Sequence, residues 1–188
     1  MKSVNNVKRI VENIADKEVK RDEDGRVIID MTVADDSDFL SPFSGGKTAV
    51  ISESVADFLE NATRTVLPRE ELDLRIESNC IDEKEKSRYS SAIKEYYSEK
   101  FRANEKEYKF NNFLALSLAV LGVLVLTLAI FLSHRLSSVI WSEVVDIVAW
   151  VFLWEAVDIK CFRMREMSLK RKRYAAFIDM KIDFIDVL

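Results

Sequence analysis

Residues Phe113 to Leu132 read FLALSLAVLGVLVLTLAIFL, 20 positions without one charged side chain. At 1.5 Å of rise per residue a helix of this length covers roughly 30 Å, the thickness of a bilayer's hydrocarbon layer. The competing reading is a helix buried on all sides within a soluble protein. A chain of 188 residues leaves too little other material to surround such a helix. The segment is therefore expected to cross a membrane.

Working toward the C-terminus, the polar link Ser133 to Ser138 leads into Val139 to Ile159, VIWSEVVDIVAWVFLWEAVDI, which is again long enough to span. It carries Glu143 near one end, Glu155 and Asp158 near the other, and Asp146 deeper, where a carboxylate is costly. Lys94, Lys100, Arg102, Lys106 and Lys109 precede the first span. Lys160, Arg163, Arg165 and the run Lys170, Arg171, Lys172, Arg173 follow the second, whereas the link contains Arg135 alone. By the positive-inside rule both flanks are cytoplasmic and the link is outside, with Trp141 at the outer interface and Trp154 at the inner. That run also has the character of a segment attracted to anionic lipid, at about 1 kcal/mol per basic residue near the surface. Cys161 is a palmitoylation candidate or a plain interfacial thiol.

At 100° per residue, Glu143, Asp146, Trp150, Trp154 and Asp158 share roughly a third of the circumference of the second helix. Intramembrane acids usually face protein or a water-filled cavity. The first helix offers them only Ser117, Thr127 and Ser133, so the stripe is expected to be covered by a second copy of the chain. The alternative is that Glu143 and Asp146 sit in the outer headgroup region. Gly122 gives one point of close helix approach without a GxxxG pattern.

Toward the N-terminus the composition changes. Residues 1 to 80 carry 11 Lys and Arg against 17 Asp and Glu, a balance of −6, which disfavours a nucleic-acid partner. Met1 to Arg26 is polar and lacks the apolar run of a signal peptide. Val27 to Val33 (VIIDMTV) and Leu72 to Glu77 (LDLRIE) have strand character, and Ile178, Met180, Ile182 and Phe184 alternate with polar residues as a third strand. Ser52 is a helix N-cap for 52 to 62, with Val55, Phe58 and Leu59 on one face to cover the sheet.

Between them, residues 34 to 48 form a loop in which Asp35, Asp36 and Asp38 are weighed as cation ligands. Gly45, Gly46, Lys47 and Thr48 are weighed as a phosphate loop, which Ser41 spoils by standing where its first glycine belongs. Two distant cysteines and a single histidine, His134, give no zinc pattern. No cofactor, metal or catalytic constellation is expected.

Residues 82 to 112 are a charged helix running into the first span, with Tyr89, Ile93, Tyr96, Tyr97 and Phe101 at spacings of three and four and Tyr108 on the same side. This stripe reads as a packing face against a basic helix over 162 to 174. Its alternative is a partner-protein face formed by Tyr89, Ile93, Tyr97 and Phe101.

The expected architecture is an α+β membrane protein in which a transmembrane hairpin is inserted in a small cytoplasmic α/β domain. Residues 1–80 form that domain, 81–112 the charged helix, 113–159 the hairpin (spans 113–132 and 139–159), and 160–188 a basic helix with a strand that joins the N-terminal domain. Both termini are expected in the cytoplasm of a bacterial cell, with the hairpin in the inner membrane.

With these residues in view, Glu143 to Arg173 resembles a family of uncharacterised bacterial two-span membrane proteins. In them Trp-Val, Leu-Trp, an acid, a basic helix and a short terminal strand recur in order. Trp150, Val151, Leu153, Trp154 and Asp158 carry the resemblance, and family members often have a proline after the second Trp where this chain has Ala156 nearby. The resemblance implies topology and no activity. The functional expectation is a non-enzymatic, homo-oligomeric membrane module such as a stress or phage-defence effector. The alternatives are an accessory or scaffold subunit of a larger membrane complex, or a membrane enzyme using Glu155 and Asp158.

Overall fold

The computed structural model describes residues 20–45, 49–133 and 139–186, apart from the side chains of 132–142. The link with Arg135, the ring of Trp141 and the Gly46 to Thr48 part of the loop therefore lie outside the described residues. The fold is α+β: β1 (Val27–Val33), α1 (Glu53–Ala62), β2 (Leu72–Ser78), α2 (Glu83–Ser133), α3 (Val139–Asp158), a π-helical turn (Ile159–Arg163), α4 (Met164–Ile178) and β3 (Lys181–Asp186). The chain divides into two compact units, Met1–Lys100 with Lys172–Leu188, and Phe101–Arg171.

In the first unit the three strands are parallel and ordered β1-β2-β3, with Leu74 facing Ile29 on one side and Ile182 on the other. Residues alternate across the pleat. Val27, Ile29, Val33, Leu72, Leu74 and Ile76 enter the core, while Asp30, Thr32, Lys181 and Ile185 are exposed. Asp73, near the amino end of the central strand on the opposite face, is fully buried beside the Arg75 guanidinium at 3.2 Å.

The apolar face is covered by Val55, Ala56 and Leu59 of α1, by Tyr89, Ala92, Ile93 and Tyr97 of α2, and by Phe177 of α4. Ser52 Oγ accepts from Val55 N at 3.4 Å and caps α1. Asp82 and Glu85 form a reciprocal capping box at the start of α2: Asp82 Oδ1 accepts from the amides of Lys84 and Glu85, and Glu85 Oε2 accepts from the amide of Asp82. With neither Gly nor Pro between Asp82 and Leu121, nothing in the sequence stops the helix, and it continues for 51 residues.

That continuity agrees with the expectation that the charged helix runs directly into the apolar segment. The terminal strand is shorter than its alternation implied. Ile178 closes α4 and Met180 sits between α4 and β3, which leaves Ile182 and Phe184 as the inward residues of the strand. The basic helix likewise runs from Met164 to Ile178 instead of from 162 to 174.

Candidate functional site

The second unit is built on α2 and α3, which run antiparallel: moving along α2 from Asn104 through Asn112 to Gly122 meets Met167, Lys160 and Leu153 in turn. Small residues recur every seventh position, Ala115, Gly122 and Ala129 on α2 and Ala149 and Ala156 on α3, and all are buried. Seven residues are close to two helical turns, so each set makes a seam where backbones approach. A Cβ added at Gly122 would lie 2.8 Å from Leu153 Cγ and 3.3 Å from the carbonyl oxygen of Ala149. In the sequence this seam is marked by a seven-residue recurrence of small residues in place of a GxxxG motif.

Outside the seam the helices are apolar and open. Leu116, Val120, Val123, Leu124, Leu128, Ile130 and Phe131 of α2 are more than half exposed. The most apolar window of Glu83–Phe131 is long and apolar enough to cross a membrane, and 17% of it is buried. Such an exposed surface is what a lipid-facing helix presents, because no hydrophobic gain in water supports it.

The acidic and aromatic stripe of α3 runs beside the seam, with Asp146, seven residues before Leu153, at its edge and Glu143, Trp150 and Trp154 farther round the helix. Glu143 and Asp146 are exposed, Trp150 is 64% and Trp154 74% exposed, and Asp158 is partly exposed. Around Gly122, α3 meets α2 through Ala149 and Leu153.

At the lower end of the pair the π turn brings residues five apart onto one side. Ile159 and Met164 are both buried against Ala115, with Tyr108, Leu114 and Leu118 around them. Polar contacts gather around this turn. Lys160 Nζ donates to Asn112 Oδ1 at 2.6 Å, and Asn104 Nδ2 donates to the Met167 carbonyl at 3.0 Å. Arg163 bridges Glu155 at 3.0 Å and Asp158 at 3.4 Å. The two carboxylates considered for acid–base chemistry are therefore already engaged by one guanidinium.

The expected basic flank is split. Lys170 pairs with Glu166, whose carboxyl is thereby held below its usual range, and Arg171 pairs with Glu105 at 2.8 Å and lies over the Phe101 ring. Arg165 is exposed, Cys161 is exposed in the π turn, and Lys172 and Arg173 are half-buried in the other unit.

The tyrosine stripe is a packing face, as its spacing predicts, and only the alternative of a partner-protein face is overturned. Tyr89, Ile93 and Tyr97 are at most 5% exposed, so they offer a partner protein no surface. Tyr97 stacks on Phe177 at 4.1 Å, and Tyr89 stacks on Phe39 at 4.3 Å while its hydroxyl donates to Asp36 at 2.8 Å. Phe101 remains half-buried under Arg171. The hydroxyl bond occupies Asp36, and Asp35 accepts from the Ser37 amide. Among the described residues no group of three or more His, Cys, Asp or Glu is placed to hold a metal.

Compared with known proteins, the chain matches no protein-family model, no curated protein and no solved structure.

Proposed function

We propose that this chain is a non-enzymatic inner-membrane module in which α2 and α3 cross the bilayer as a two-span hairpin with both flanks in the cytoplasm. The hairpin assembles with further copies through the α3 stripe and couples a cytoplasmic sensing or partner-binding domain to the membrane. A stress or phage-defence effector that perturbs the membrane when triggered is the form of activity this reading favours. The topology and the resemblance to two-span bacterial proteins belong to the same reading.

The observation that carries it is the exposure of Glu143, Asp146, Trp150 and Trp154 on α3, with Glu143 and the two rings turned from the Ala149 and Ala156 seam and Asp146 at its edge. An acid in hydrocarbon needs a protein or aqueous neighbour, and Glu143 and Asp146 are exposed on α3. A second copy of the same face would supply one. The alternative of an accessory subunit recruited through the tyrosine stripe loses support, because that stripe is interior. The enzyme alternative loses support from the Arg163 bridge across Glu155 and Asp158.

The test is light scattering, corrected for detergent, on the purified full chain and on Asp146→Leu, together with membrane potential in cells that overexpress each. A closed wild-type oligomer that Asp146→Leu dissociates, with loss of potential relieved by the same substitution, is the expected result. A wild-type monomer, or an oligomer indifferent to Asp146→Leu, would remove the stripe from any interface.

A further inference from the structure

At the amino ends of the three parallel strands lies a cleft of about 810 Å³, within the size range of small-molecule sites. Its walls come from five places in the sequence: Arg26 before β1, the turn before β2, the first part of α2, the α4 helix with the residues after it, and the start of β3. Part of the wall is apolar, formed by Pro68, Ala175 and Ala176.

The charges in this cleft are unequal in their commitments. Glu70 is held by Arg21 at 2.8 Å and Glu71 by Arg26 at 3.1 Å, while Lys181 is held by Asp183 at 2.6 Å. Arg69, Lys94 and Lys172 also line the cleft, and none of them has an ion-pair partner among the described residues. The one lining carboxylate without an ion pair there is Asp179. Three uncommitted cations from three separate elements thus face one concavity against a single carboxylate. Their side chains are long enough to converge on a multiply charged anion, and guanidinium and ammonium groups are the usual recognition elements for phosphate.

We propose that this cleft binds a small phosphorylated molecule, with Arg69, Lys94 and Lys172 contacting its phosphates and the wall of Pro68, Ala175 and Ala176 taking its less polar part. This gives the sensing domain of the proposed function its ligand class, and it rests on that reading for what binding would signal. Binding itself does not require the membrane reading. The phosphate could belong to a soluble nucleotide or to a lipid headgroup, and both present the same chemistry to the same three cations.

The experiment is isothermal titration of the full chain in uncharged detergent with ATP and with pyrophosphate, repeated in micelles containing phosphatidylglycerol in place of the soluble probe. The expected result is one site per chain that weakens tenfold or more in Lys94→Glu and in Lys172→Glu. Lys84→Glu, on the exposed start of α2 outside the cleft, leaves it unchanged. Binding of ATP or pyrophosphate assigns the site to a soluble ligand. Binding of phosphatidylglycerol alone, with the same sensitivity to Lys94→Glu and Lys172→Glu, assigns it to a headgroup. No binding of any probe tighter than about 1 mM, or binding indifferent to both variants, overturns the proposal. A failure here leaves the oligomer result for Asp146→Leu standing, and a failure there leaves this titration standing.

Discussion

Tyr89 and Tyr97, about two helical turns apart, sit on one face of α2. The Tyr97 hydroxyl is buried with no hydrogen-bond partner among the described residues, whereas the Tyr89 hydroxyl donates to Asp36 at 2.8 Å. An unmade bond in an apolar site costs the group its desolvation, and a bond to a carboxylate is worth about 1.5–3 kcal/mol. Tyr97→Phe should therefore leave stability unchanged or raise it, while Tyr89→Phe should lower it by roughly that amount, read as denaturant midpoints of the full chain in detergent.

Burial raises the pKa of both phenols, joined at Tyr89 by the bond to Asp36 and at Tyr97 by the nearby Glu60. A raised folded-state pKa means that the folded chain keeps protons the unfolded chain has released. The contribution is complete below the ordinary phenol value of 10.0 and is lost as pH rises above it. Unfolding midpoints measured from pH 8 to 11.5 should fall above about pH 10, and less steeply in Tyr97→Phe. A midpoint flat across that range would contradict the burial of both rings.

At the scale of elements, the α2–α3 seam makes a sharper statement than either helix alone. Gly122→Ala forces Leu153 aside, because its new methyl lies 2.8 Å from Leu153 Cγ, and overpacking of this kind costs about 1–3 kcal/mol. In a Leu153→Ala background the same change should cost little, so a double-mutant cycle on thermal unfolding should return a coupling of about 1 kcal/mol. Additive effects would mean that the helices do not meet at this point.

The elements were largely readable from residues. Ser52 and the alternation of Val27 to Val33 mark their elements because capping and pleat periodicity are local. The lack of Gly and Pro before Gly122 carries α2 through its change from charged to apolar. The cleft was not readable, since Arg69, Lys94 and Lys172 are far apart in sequence and come together only through tertiary packing. The tyrosine stripe was readable as a packing face toward the basic helix, but the stacking of Tyr89 on Phe39 was not, because periodicity does not say which loop covers a face. The π turn has no proline to announce it, and it follows from the burial of both Ile159 and Met164.

At the scale of the molecule, β2 and β3 are neighbours in the sheet although 102 residues separate Ser78 from Lys181. Ile182 and Phe184 pair with Leu74 and Ile76, and Lys86 reaches Asp186 at 3.0 Å. Ending the chain after Met180 should therefore destabilise the sheet unit even though β1, α1 and β2 remain intact. The loss should appear as proteolysis within residues 20–80 under conditions where the full chain resists. Equal resistance of the shortened chain would show that β3 contributes nothing to that unit.

The same pairing sets an order of events on the ribosome. When β2 has emerged, its β3 side is a bare strand edge, a template that other chains can join. At about 5–20 residues per second, that edge waits several seconds while the two apolar helices are made. Lys181 to Asp186, made after both helices, close it. Delivery of α2 and α3 to their final surroundings thus comes before completion of the sheet, and a chain whose helices go astray keeps its β2 edge open to proteases and chaperones.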